Sequence, residues 1–115
     1  MYLKVFSNGY LPNTMFVIWQ ELSNQFTHYY VYRDNSLIAT VTEDTFKDFP
    51  FPERFDLDKH TRLFFKKSMH ERMYVDTDVQ KHRTYTYRVI ARQITEDGVI
   101  VQEFKTPSMS AEVNG

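Results

Sequence analysis

Hydrophobic and polar positions alternate with a period of two along most of this chain, the spacing of half-buried β-strands. Leu3-Lys4-Val5 reads as a short first strand, and Asn8-Gly9 and Leu11-Pro12-Asn13 then punctuate the chain. From Thr14 to Glu21, Met15, Val17 and Trp19 fall on one face. From His28 to Arg33, Tyr29 and Val31 share one face, and Tyr30 and Tyr32 the other. Asp34-Asn35-Ser36 predicts a tight turn, because Asp and Asn bond their own backbone and tolerate left-handed geometry. Leu37 to Thr42 then completes a hairpin.

Between Glu43 and His70 the rhythm is lost. Phe46, Phe49, Phe51, Phe55, Phe64 and Phe65 stand there with Pro50 and Pro52 among them. Proline cannot donate to a sheet ladder, so no central strand is expected and the segment reads as an excursion outside the sheets. A single helical turn capped by Thr42 is the one helical element foreseen. Alternation returns at Met73-Tyr74-Val75. It is clearest from Arg83 to Gln93, where Tyr85, Tyr87, Val89 and Ala91 share a face. Glu96-Asp97-Gly98 predicts a hairpin turn, Val99 to Phe104 pairs back, Pro107 interrupts, and Ser108 to Val113 finishes the sheet.

About seven short antiparallel strands separated by turn signals predict an all-β sandwich, one domain over 1–115 with an insert at about 43–72. A length of 115 residues with 42% hydrophobic residues is enough to bury a core. The 17% aromatic content suits flat strand surfaces. A formal charge of −1 gives no global pull toward nucleic acid or anionic lipid. The absence of cysteine excludes disulfides, thiolate metal sites and a thiol nucleophile. The start has no apolar signal core, since Ser7, Asn8 and Gly9 interrupt it, and the run Met15 to Trp19 is too short to span a bilayer. Synthesis in the cytoplasm without export by a signal of its own is the expectation.

Several of these residues, in order, resemble a fibronectin type III domain. Trp19 in Phe-Val-Ile-Trp stands where the family's core Trp sits, some sixteen residues after Leu3-x-Val5. Tyr29-Tyr30-Val31-Tyr32-Arg33-Asp34 is similar to the family's Tyr-Arg-Val-Tyr-Arg-Asp, and Leu37-Ile38-Ala39-Thr40-Val41 to bacterial members. Tyr74 to Val79 resembles the strand before the family's tyrosine corner, with Val79 six residues before Tyr85. Tyr85 to Ala91 matches Tyr-x-apolar-x-Val-x-Ala. The resemblance covers residues 1–42 and 73–113. It departs from the family at Lys81-His82, where Pro-Gly is usual, in the long apolar strand after Gly98, and in the insert of about thirty residues. It implies an immunoglobulin-like sandwich with Trp19, Tyr29, Val31, Val79, Tyr85, Tyr87 and Val89 in the core. It also implies Trp19 against Tyr85, and a Tyr85 hydroxyl returned to an upstream backbone group.

Chemistry-bearing residues add little to this picture. His28, His60, His70 and His82 are scattered, and only His60 and His70 with Asp56 and Asp58 would converge if the insert folded back. Asp56-x-Asp58 lacks the glycine and closing glutamate of a calcium loop, and Asp76 with Asp78 is an unsupported edge site. No Gly-x-Ser-x-Gly elbow or phosphate-binding glycine loop is present. The expectation is therefore no enzyme, no cofactor and no metal. The insert's acidic arm (Glu43, Asp44, Asp48, Glu53, Asp56, Asp58) precedes a basic one (Lys59, Arg62, Lys66, Lys67, Arg72), which suits pairing as a hairpin or with a neighbouring copy.

The insert's phenylalanines either cap an open end of the sandwich or form a contact surface, and on the second reading Phe49, Phe51, Phe55, Arg62, Phe64, Phe65, Lys66 and Lys67 make the candidate interaction patch. The leading functional expectation is a non-catalytic interaction or structural module that self-associates or docks on a larger assembly. By family analogy and from a start at Met1, a phage tail or baseplate component is the expected setting. The alternatives are a carbohydrate-binding module stacking sugars on Tyr30, Tyr32 or Phe51, and binding of single-stranded nucleic acid through Lys59 to Arg72.

Overall fold

The alternating segments all become strands. The computed structural model describes residues 2–7, 11–20, 25–48, 63–66 and 71–114, with the backbone alone at 45, 47, 48 and 63–66. The strands are β1 (Leu3–Phe6), β2 (Met15–Gln20), β3 (His28–Arg33), β4 (Ser36–Thr42), β5 (Lys47–Asp48), β6 (Leu63–Lys66), β7 (Glu71–Asp76), β8 (Thr84–Ile94), β9 (Ile100–Lys105) and β10 (Met109–Glu112). They form two sheets. Sheet A has the order β1-β2-β7-β6-β5, and sheet B the order β10-β8-β3-β4, with β9 on the distal half of β8. Every pairing is antiparallel except that of β5 with β6. This is an all-β sandwich, and no α-helix occurs among the described residues.

The period of two decides what is buried. Met15, Val17 and Trp19 of β2 meet Tyr29 and Val31 of β3 and Tyr85, Tyr87, Val89 and Ala91 of β8 in one core cluster, with Leu3, Val79 and Val113. Trp19, Tyr29, Val31, Tyr87 and Val89 are fully buried, and Val79 and Tyr85 nearly so. Burying each such side chain stabilises the fold by about 1.5–3 kcal/mol. Among the described residues, the ring neighbours of Trp19 are Tyr29, at 5.6 Å between centroids, and Phe46, edge-on at 6.0 Å. Tyr85 shares the cluster from the opposite sheet but makes no ring contact with Trp19, so the expected Trp19–Tyr85 pair is replaced by Tyr29 and Phe46, which lie nearer the indole. The indole Nε1 of Trp19 is buried with no hydrogen-bond partner among the described residues.

The insert corrects one expectation: it is not wholly outside the scaffold. Leu63 to Lys66 pairs with β7 in the register Leu63↔Tyr74 to Lys66↔Glu71, so sheet A continues beyond β7. Proline forbids a ladder only where it stands, and none occurs in Leu63 to Lys66. Phe46 joins the main core. The acidic and basic arms do pair, but in parallel at Lys47↔Phe64 and Asp48↔Phe65, which is not hairpin geometry. The turn after Thr42 is a 3₁₀ turn at Glu43–Thr45; Thr42 makes no cap bond to its backbone. The Thr42 hydroxyl donates to the Asp44 carboxylate instead.

Sheet A is also apolar on the face turned away from sheet B. Phe16, Met73 and Val75 form a second buried cluster with Leu11 and Ile18, and Phe6 stacks on Phe16 at 5.2 Å. Both faces of β7 are therefore largely buried, as its run of burial from Glu71 to Asp76 records.

Candidate interaction surfaces

A buried carboxylate ties the two sheets together at one end. Asp76 closes β7 and is 2% exposed. Its oxygens accept the Arg33 Nη1–H from β3 at 2.9 and 3.1 Å, the Tyr87 hydroxyl from β8 at 2.6 Å and the backbone N–H of Asp78 at 3.0 Å. Burial, then the bond to Asp76, pushes the Tyr87 hydroxyl well above its usual pKa. Burial pulls on the Arg33 guanidinium as well, but the hydrogen bond and charge of Asp76 outweigh it and the pKa rises. Asp76 is thus saturated by partners within the fold, which explains its position without a metal ion. No group of three metal-binding side chains occurs among the described residues.

Next to this clamp, Tyr85 makes a corner. Its hydroxyl accepts the backbone N–H of Gln80 at 3.0 Å, which satisfies an amide in the link between β7 and β8. His82 lies in that link with φ of 65°, in the left-handed region that favours glycine. The link, the β3–β4 turn and the end of the β1–β2 loop enclose a polar cleft of about 500 Å³. Arg33, Asp34, Asp78, Gln80, Arg83 and Asn13 are among its walls.

The outer face of sheet B carries a ladder of Tyr and Arg. The Arg88 guanidinium lies 4.0 Å from the Tyr32 ring centroid and that of Arg92 4.8 Å from Tyr30. Arg92 also pairs with Glu103 at 2.7 Å. Tyr30 and Tyr32 do face away from the core, as their alternation predicts. A guanidinium covers a face of each ring, which leaves less platform for a sugar ring.

Among the described residues, exposed apolar side chains concentrate on the β8–β9 ribbon. Val99, Ile100, Val101 and Phe104 are 58%, 50%, 59% and 47% exposed. Phe104 meets Phe26 edge-on at 5.9 Å. Among the described strands β9 pairs only with β8, so it is an edge. A register shift between Gln93 and Ile94 sets Ile94 against Ile100 and leaves Val101 bulged. A bulge blunts an edge against simple sheet extension, so contact here would be made by side chains.

Of the patch expected from the sequence, Phe49, Phe51, Phe55, Arg62 and Lys67 lie outside the described residues. Phe64, Phe65 and Lys66 lie in β6, paired with Met73, Arg72 and Glu71 of β7. Of the remaining basic arm, Lys59 is outside the described residues. Arg72 is buried, bonded to Glu43 and set over Tyr29 and Phe46. His60, His70, Asp56 and Asp58 also fall outside the described residues. The sequence reading missed the β8–β9 ribbon as a surface, although the apolar run Val99-Ile100-Val101 after Gly98 was the signal for it. The Arg33–Asp76–Tyr87 clamp was missed because its members are far apart in the chain.

Comparison with protein-family models, with curated proteins and with solved structures finds no match.

Proposed function

We propose that this domain is a non-catalytic, fibronectin type III-like interaction module that associates with a second copy of itself through the β8–β9 ribbon. Strand order supports the family reading. β1, β2 and β7 occupy one sheet in the positions of strands A, B and E, and β10, β8, β3 and β4 the other in those of G, F, C and C′. The Tyr85 corner and the buried Trp19 support it further.

The observation that carries the functional reading is the half-exposed strip of Val99, Ile100, Val101 and Phe104 on one edge. Its rim has mixed sign, with Arg92 and Lys105 both within salt-bridge distance of Glu103. Under a two-fold axis such a rim complements itself, a carboxylate of one copy meeting an ammonium of the other. A net charge of −1 leaves almost no repulsion between copies. Assemblies of repeated subunits, phage tails among them, are the setting that the resemblance suggests.

The strip is small against a standard interface, so association should be weak, in the micromolar to millimolar range. Light scattering over that range tests it. The apparent mass should rise from 13.9 kDa toward twice that value with concentration, and Val101→Glu should hold it at one chain. A single-chain mass for the wild type at every concentration would refute self-association.

A further inference from the structure

We draw no further inference here: the strongest candidate, the outer face of sheet B on which Tyr30, Tyr32, Arg88 and Arg92 stand, carries nothing because its guanidiniums are already engaged by the two rings and by Glu103, and nothing in the structure shows what covers it.

Discussion

Replacing Asp76 by alanine should remove much of the stability of this domain. The substitution orphans three donors at once. The Tyr87 hydroxyl is in a fully buried residue and loses its acceptor, which costs about 1–3 kcal/mol. The Arg33 side chain is 19% exposed and keeps only the long contact to Asp78. Breaking a buried ion pair costs about 3–5 kcal/mol, and the remaining access to water puts Arg33 at or below the low end. Allowing for overlap between these effects, the loss should be about 4 kcal/mol, against a total of roughly 5–15 kcal/mol for an ordinary domain. Trp19 is the single tryptophan and lies in the core, so its fluorescence reports urea unfolding directly. With a slope of about 1–3 kcal/mol/M, the midpoint should fall by roughly 2 M. Tyr87→Phe should cost less, about 1.5–3 kcal/mol, because Arg33 and the Asp78 amide still neutralise Asp76. Replacing both charges, as Arg33→Met with Asp76→Leu, should recover part of the loss. A midpoint shift below about 0.5 M for Asp76→Ala, at an unchanged slope, would show that the clamp does not stabilise the sandwich.

Two further outcomes are expected. His82→Gly should stabilise the domain by on the order of 0.5–1 kcal/mol, because a left-handed conformation costs a β-carbon about 1–2 kcal/mol and glycine gives back part of that through its freer unfolded state; a loss of stability would contradict this. Stability should fall above about pH 10. Tyr2 is pushed up to about 12 by burial and its bond to Glu71, and Tyr87 further still, so the unfolded chain releases these protons first. Tyr87 should contribute about 1.4 kcal/mol per pH unit to that loss, and Tyr87→Phe should remove this share and leave the smaller one of Tyr2.

What the sequence revealed and what it concealed have a common cause. Period-two alternation is local, so β2, β3 and β8 and their buried rings could be read directly, as could the turn at Gly98, where φ is 83°. The Tyr85 hydroxyl reaches only five residues back, and its partner was foreseeable. Arg33 and Asp76 are 43 residues apart, and nothing local announces their pairing. Pairing of β6 with β7 is likewise a tertiary choice, invisible beside the prolines of the insert. Phe16 and Ile18 fell on the face that alternation assigns to solvent, yet Phe16 is buried in the second cluster with Met73 and Val75. Alternation identifies two faces but not whether both are covered.

The association of two copies through the β8–β9 ribbon can be tested most directly with a reporter thiol. The chain has no cysteine, so Gln102→Cys places one thiol midway along β9, on the face that carries Phe104. Leu37→Cys, on the far edge strand β4 at a residue 50% exposed, is the control. Under mild oxidation, the Gln102→Cys variant should form disulfide-linked dimers much faster than the control, and added Val101→Glu should abolish the difference. Equal rates at the two positions, unaffected by Val101→Glu, would contradict the proposed interface.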